Sequence, residues 1–417
     1  MARSVCLVSS GNLASNPRLL KEAGALHDAG YRVTTVVCRL EGALAGFGDA
    51  MAAQVPWTVR SAPTSPWERY WRTASRPLAR IAEGVGLDVP VTMAAAAYGG
   101  PVGTLRTAIA GVRADLYIAH YVAALPAAAA AANQHGAMLG FDAEDFHSGE
   151  GSHTAKDIFR MRMVERVESQ TLRRCAHLTA ASPLIAEAYT VKYGIPPVTV
   201  LNVFPLDMAP AEPSPASTGP LRAYWFSQTI GLDRGLQAFL QAMARTRTKV
   251  ELDVRGDDRW GFGDKLEAMA CELGVAGRVK LLPMEPPGEM IRLAASYDLG
   301  LSLETDVTEN RRMCLTNKAF TYLLAGVPVL MSDTAAQRAL APSLGNAARL
   351  VSLADPGAIA ATLDELGDSQ RLAEAKATAW RLGRERYNWD VEKKVLLQSV
   401  AAAFEGDGRP AAKDARL

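Results

Sequence analysis

The chain has 417 residues, with Lys plus Arg (45) nearly cancelling Asp plus Glu (44) and 49% of positions hydrophobic. That length exceeds one ordinary domain and allows two sizeable cores, while the balanced charge leaves no global field to hold nucleic acid by counterion release, so no nucleic-acid partner is expected. Cys6, Cys38, Cys175, Cys271 and Cys314 are odd in number, scattered and free of CxxC spacing, which argues against a disulfide framework and a zinc site and for a reducing cytoplasm.

The opening MARSVCLVSS has too short an apolar run for a signal peptide and predicts a first strand, SVCLV. After the loop SSGNLASNP, the stretch RLLKEAGALHDAG places Leu19, Ala23 and Leu26 on one helical face before Gly30 ends it. YRVTTVVC predicts a second strand. Strand, helix, strand order with strands apolar on both faces implies a right-handed crossover and a parallel sheet. From Arg60 to Arg80 there are five Arg against one Glu, interleaved with Trp67, Tyr70 and Trp71. Such a segment suits peripheral contact with a membrane, or a helix packing its aromatics inward with Arg outward. Leu116 to Ala132 has no charge apart from His120, but Pro126 and the change to Ala-rich sequence predict a short buried strand and then a helix rather than a span. AMLGFDAED, a long polar helix near Ala155 to Arg174, HLTA, a helix from Pro183 and VTVLN complete a first α/β domain over 1–205.

Residues 206–220, rich in Pro, Ala, Ser and Gly, predict a solvated linker. The alternation then restarts over 221–385: LRAYWFS, a helix from Asp233, KVELDVRG, a helix with Leu266 and Met269, RVKLLP, a helix through Met290 and Leu293, DLGLSLE, a helix from Thr316, VPVLMS and ARLVSL. A second doubly wound domain follows. The closing stretch from about Ser369 to Phe404 is helical, and the last segment, 386–417, is expected to strap back to the first domain. Two such domains are expected to face across a cleft that holds the chemistry.

Four loops carry candidate residues. In SSGNLASNPR, Gly11 and Asn12 either present backbone N–H groups to an anion or permit a tight turn. GxGxxG is absent and no acidic residue closes the second strand, so an NAD-type fold is weakly supported. In FDAEDFHSGE, a buried strand ends in Asp142, Glu144, Asp145 and His147, which can orient a sugar hydroxyl or accept its proton. These carboxylates have no companion DxD, so no metal is expected. In WFSQTIGLDRGLQAF, Arg234 starts a helix and suits bidentate pairing with a diphosphate. From Leu301 to Asp333, a polar loop feeds a helix capped by Thr316, where Lys318 adds a charge to the free N–H groups of the helix start.

NPRLLKEAGALHDAGY, the FDAEDFH loop, Arg234 with Gly235, NKAFTYLLAGVPVLMSD and NWDVEKK together resemble the family 4-like glycosyltransferases of the GT-B fold over nearly the whole chain. The resemblance implies two facing Rossmann-like domains and sugar transfer with retention of configuration from a nucleotide sugar, UDP- or GDP-linked. It implies no cofactor and no metal. The acceptor is a glycan or a lipid-linked molecule, in cell-envelope polysaccharide or related glycan biosynthesis. The donor diphosphate is expected against Cys314, Leu315, Thr316, Asn317 and Lys318, with Gln228 and Arg234 in the positions of the family's basic pair. The catalytic group on the acceptor side is expected among Asp142, Glu144 and His147. The family's two glutamates fall at Met313 and Thr321, so the donor ribose contact passes to Thr321, which offers less than a carboxylate. A sugar-nucleotide epimerase and a catalytically silent relative acting as a partner or scaffold are the competing readings. The expected place is the cytoplasm, either free or peripheral at the inner face of the membrane.

Overall fold

The computed structural model describes residues 2–39, 43–63, 66–152, 154–231 and 234–406. Asp233, where one helix was expected to begin, and the tail beyond 406 lie outside the described residues.

Two compact units divide the chain. The first runs to Val200 and adds Thr308–Asn310 and the segment from Lys393 onward; the second comprises Leu201–Val307 and Arg311–Glu392.

The first unit holds strands β1 (Ser4–Ser9), β2 (Arg32–Arg39), β3 (Thr58–Pro63), β4 (Leu116–His120), β5 (Met138–Asp142), β6 (Cys175–Ala180) and β7 (Val198–Thr199). They form one parallel sheet in the order β3-β2-β1-β4-β5-β6-β7. β1 and β4 are buried along their whole length, as strands covered by helices on both faces must be. The Pro17–Asp28 helix starts where the sequence places it. The Asn16 side chain accepts the Leu19 N–H, Pro17 needs no donor partner, and Gly30 at φ +87° provides the left-handed exit. Leu19, Ala23 and Leu26 are fully buried and join Val5, Leu7, Val33, Val37, Leu116 and Ile118 in the core. Val400 joins the same core from the last helix, Trp389–Glu405, and Ser399 bonds His177 on β6 at 2.9 Å. The closing helix thus packs into the first unit, as expected of a strap.

The second unit holds β8 (Leu221–Thr229), β9 (Val250–Asp257), β10 (Val279–Leu282), β11 (Leu299–Ser302), β12 (Val329–Ser332) and β13 (Ala348–Val351). These are parallel in the order β10-β9-β8-β11-β12-β13. Trp225, Leu252, Phe239, Leu301 and Leu330 lie in its core. The Asn317–Leu324 helix ends where the sequence implies. Gly326, at φ +73°, carries the chain out of the helix and Pro328 follows it.

Strand order reverses between β1 and β4 in one sheet and between β8 and β11 in the other. Outside the carboxyl ends of such strand pairs, doubly wound sheets bind their ligands. Among the described residues, no helix is long and apolar enough to cross a membrane.

Candidate functional site

At the switch point of the first sheet, three elements bring four ionisable side chains together in the interior. The Pro17–Asp28 helix places Arg18 and Glu22 one turn apart on its buried side, β4 ends in His120 and β5 ends in Asp142. All four are buried. Arg18 grips Asp142 with both ends of its fork, Nε to Oδ2 at 2.5 Å and Nη2 to Oδ1 at 3.0 Å, and its Nη1 donates to the Val200 carbonyl at 2.8 Å. Thr179 adds a 2.7 Å hydrogen bond to Asp142 Oδ1. His120 lies 2.9 Å from Glu22 through Nε2 and 3.3 Å from Asp142 through Nδ1. Burial alone would lift the Asp142 carboxyl, but Arg18, then His120 and the hydrogen bonds, outweigh it and hold it well below the usual carboxylate range. Burial likewise opposes charge on His120, while Glu22 and then Asp142 raise its pKa.

Single donor atoms of Glu22, His120 and Asp142 approach within 4.8 Å of one another, close enough to suggest a metal site. The chemistry of the set speaks against one. Asp142 already accepts three hydrogen bonds, and the Arg18 guanidinium occupies the cationic position beside it.

Beyond Asp142 the loop turns sharply. Glu144 takes φ +47°, the left-handed region that side chains other than glycine rarely occupy. The backbone on either side is pinned: Ala143 N–H donates to Thr179 O at 2.8 Å, and Ala181 N–H donates to Glu144 O at 3.1 Å. The Asn310 amide accepts the Phe146 N–H at 2.8 Å and donates to Asp145 Oδ1 at 3.1 Å. Glu144 is half-buried. Burial first, then the charge of Asp145, push its carboxyl up to about 7 against the pull of Arg18. Lys21, lowered to about 7 by burial and Arg18, feels Glu144 as a neighbouring charge. A carboxyl that exchanges its proton near neutrality beside an amine that does the same is suited to proton transfer.

His147 differs. It starts a short 3-10 turn, is buried, and meets Glu150 Oε1 through Nδ1 at 2.5 Å. Burial opposes its charge, but Glu150 more than compensates and raises it to about 9. It is thus a cation at neutral pH.

Gly11 and Asn12 form a closed turn. Gly11 N–H donates to Ser9 Oγ, Asn12 and Ser15 exchange side-chain and backbone bonds, and a Cβ on Gly11 would sit 2.6 Å from Ser15 Oγ. Tyr121, which follows His120, has φ +68° and its hydroxyl donates to Ser15 O at 3.5 Å.

At the switch point of the second sheet, Glu304 lies two residues beyond β11 and is buried. Lys318 Nζ reaches it at 2.7 Å and Thr316 Oγ1 at 3.2 Å. Burial would raise the Glu304 carboxyl, but Lys318, then Arg234 and Arg311, lower it. Three sequence-predicted residues, Arg234, Thr316 and Lys318, therefore converge on one carboxylate that the sequence reading did not single out, with Arg311 as a further cation. Thr316 occupies the N-cap position of the Asn317–Leu324 helix, yet its side chain makes no cap hydrogen bond because it turns to Glu304. Cys314 and Asn317 are half-buried and Leu315 is buried, while Gln228 is exposed at the end of β8. Thr321 is fully buried, and its hydroxyl donates to Asn317 O at 2.9 Å. Its orientation is inward, because the helix packs that side against the core.

Arg18, Glu22 and His120 went unnoticed in the sequence reading. The signal was present: Arg18 and Glu22 flank Leu19 and Ala23 on a helix, where a charge facing the core requires a partner.

No family model matches the chain, and no curated protein matches it in sequence. Solved structures do. HepE of Anabaena, solved in complex with UDP, with UDP and glucose and with UDP-glucose, shares 17% identity at a TM-score of 0.69 over 96% of this chain; the UDP complex is matched over 100% of its own length. Sucrose-phosphate synthase of Thermosynechococcus elongatus shares 14% identity at a TM-score of 0.70 over 97% of this chain and 99% of its own. A glycosyltransferase of Rickettsia africae shares 11% at 0.66, over 97% and 100%. Two Rossmann-like units, each with a fully parallel sheet, and a match along nearly the whole length establish that this chain has the GT-B fold.

Proposed function

We propose that the chain is a glycosyltransferase of the family 4-like kind. It moves a sugar from a UDP- or GDP-linked donor to a hydroxyl of a glycan or lipid-linked acceptor, in the cytoplasm, within cell-envelope polysaccharide or related glycan biosynthesis. The observation that carries this reading is the cluster around Glu304. Three cations, Lys318, Arg234 and Arg311, gather near one carboxylate at the carboxyl end of the second sheet, where a nucleotide-sugar diphosphate would be recognised by positive charge. The helix start at Asn317 adds N–H groups that the cap side chain does not use. The complexes of HepE with UDP and UDP-glucose favour the same class of donor.

In the reaction the acceptor oxygen bonds to the anomeric carbon while the bond from that carbon to the diphosphate breaks, and the electron pair leaves with the diphosphate. Arg234, Arg311 and Lys318 stabilise the departing charge. Glu144, ionised above about 7, takes the acceptor proton. Asp142, committed to Arg18, holds the strand end that presents Glu144, and His147, already protonated, is not the base. No metal is required in this scheme.

One observation favours a second reading. The positions of the family's glutamates hold Met313 and Thr321, and Thr321 is turned into the core, so a catalytically silent relative is the alternative. Melting temperature measured with UDP-, GDP- and dTDP-sugars separates the two. The enzyme reading expects a shift with one of them, reduced in Arg234→Ala and in Arg311→Ala. No shift with any nucleotide would favour the silent relative. Conversion of the donor without an acceptor would instead identify an epimerase.

A further inference from the structure

Among the described residues, only Tyr121 and Glu144 hold positive φ without being glycine. Their positions are related. His120 and Asp142 are register partners at the carboxyl ends of β4 and β5, and Tyr121 follows the first by one residue while Glu144 follows the second by two. Both strained residues therefore stand at the switch point of the first sheet, on neighbouring strands. Tyr121 is the more extreme, because its φ of +68° comes with a ψ of +141°, a region that glycine alone occupies freely. The surroundings hold the backbone there. β4 before it and the Val122–Ala124 turn after it are buried throughout, and Ala124 N–H donates to Tyr121 O at 3.0 Å. Gly100 packs so closely on the turn that a Cβ on it would lie 2.7 Å from Ala123 Cβ. A glycine at position 121 would meet every one of these constraints at lower cost, so packing explains the bend but not the tyrosine.

The side chain spans the crevice where the strand order reverses. From the end of β4 the ring reaches the turn after β1, with Cε2 3.7 Å from where a Gly11 Cβ would stand and the hydroxyl 3.5 Å from Ser15 O. That second distance is at the outer limit of a hydrogen bond, so the contact holds the phenol only weakly. Tyr121 is half-buried, which leaves part of the ring accessible. After burial, Glu144 is the group that raises its pKa most, ahead of Asp145 and Asp142, which sets the ring in the field of the carboxylate proposed as the base. An aromatic surface beside a carboxylate matches a pyranose, whose C–H face packs on the ring while a hydroxyl bonds to the charged group.

We infer that Tyr121 is an acceptor-binding residue, whose ring packs on the C–H face of a pyranose and aims one hydroxyl of that sugar at Glu144. The accepting hydroxyl then belongs to a sugar ring. This deepens the reading of the chain as a sugar transferase and rests on it. The strained backbone is what directs the side chain across the crevice toward the Gly11 turn, where the absence of a side chain on Gly11 leaves room for the ring.

The test is saturation-transfer NMR on the full chain, without nucleotide, using the methyl α- and β-glycosides of glucose, galactose and mannose. Wild type transfers saturation to the ring protons of at least one glycoside. Tyr121→Phe keeps the signal because it keeps the ring. Tyr121→Gly binds that glycoside at least about tenfold more weakly, yet holds or raises the melting temperature because glycine relieves the strained backbone. Equal signals from Tyr121→Gly and wild type overturn the proposal, as does a panel that gives no signal with wild type. A lowered melting temperature in Tyr121→Phe and Tyr121→Gly alike would assign the side chain to packing instead. The nucleotide-dependent melting shift should be the same in both variants as in wild type, since Glu304 and Lys318 belong to the second unit. Its absence from wild type would count against the donor reading, whereas the glycoside signals decide the role of Tyr121.

Discussion

Asn310 accepts the backbone N–H of Phe146 at 2.8 Å, joining two positions separated by 164 residues in sequence. Its other amide group donates to Asp145 at 3.1 Å, so one buried side chain holds two consecutive residues just after Glu144. Asn310→Ala leaves a buried N–H without its acceptor and is expected to cost about 1–3 kcal/mol of stability, read as a lowered melting temperature. The sugar-transfer rate should fall further than stability does, because Glu144 loses its alignment. Asn310→Asp keeps the acceptor for Phe146 but sets a carboxylate against Asp145, so it should rescue poorly. Transfer rates equal to wild type in Asn310→Ala would remove Asn310 from any positioning role.

Glu144 sits at φ +47°, which costs a residue with a side chain on the order of 1 kcal/mol and costs glycine nothing. Glu144→Gly is therefore expected to hold or raise the melting temperature while abolishing transfer. Glu144→Ala keeps the strain and loses the chemistry. Stability and activity should thus move apart, a result that a purely structural glutamate would not produce.

The pH dependence follows from the same group. A base acts when deprotonated, and the Glu144 carboxyl is raised to about 7 by burial and Asp145, so kcat/KM should climb with pH up to about 7 and then level. Lys21, Arg18, Asp142 and Asp145 face this carboxyl, and Lys21 itself titrates near 7. Comparing Lys21→Met with Glu144→Gln resolves which group is seen. The rising limb should persist in the first and vanish in the second, whose residual activity should be flat across pH 6 to 8.

Much of the fold was legible because strands such as SVCLV and VPVLMS are buried on both faces and read as continuous apolar runs, while Asn16, Gly30 and Gly326 mark helix ends through local backbone chemistry. The Arg18 to Asp142 pair was not, because its partners are 124 residues apart and only the folded sheet brings a strand end beneath that helix. The family resemblance located Thr321 but gave no direction for its side chain; the helix's rotation against the core turned it inward. Conversely, Lys318 and Arg234 were recognised as cations, whereas the carboxylate that collects them, Glu304, came from an ordinary strand end. Local periodicity encodes which residues are buried, and long-range pairing decides which buried charges meet.

Lys318 and Glu304 form a pair with side chains only 8% and 5% exposed. Removing one partner of a buried pair typically costs about 3–5 kcal/mol, and Lys318→Met should fall near the lower end because Arg234 and Arg311 remain close to Glu304. The double variant Lys318→Met/Glu304→Gln should recover part of that loss in urea denaturation, as coupled groups do. The sign with pH is fixed by Glu304. Its folded pKa lies below the ordinary value, so its contribution is complete above the ordinary carboxylate range and fades as pH falls through the folded value. Lys318→Met should accordingly narrow its stability gap to wild type on acidification.

Metal dependence is the sharpest check on the assignment of charges. If Arg234, Arg311 and Lys318 together neutralise a diphosphate, a divalent ion is redundant there, and in the first unit Arg18 already occupies the cationic position beside Asp142. Enzyme treated with EDTA and assayed without divalent ions is therefore expected to transfer sugar within about twofold of the rate with magnesium or manganese, a change of less than about 0.5 kcal/mol in the barrier. The charge argument also makes a relative claim. Arg234→Ala removes one of the three cations near Glu304, so magnesium should stimulate this variant more than wild type, because the ion then supplies what the side chain no longer does. Loss of most wild-type activity on chelation, restored by the metal, would show that the cation cluster does not carry the diphosphate alone.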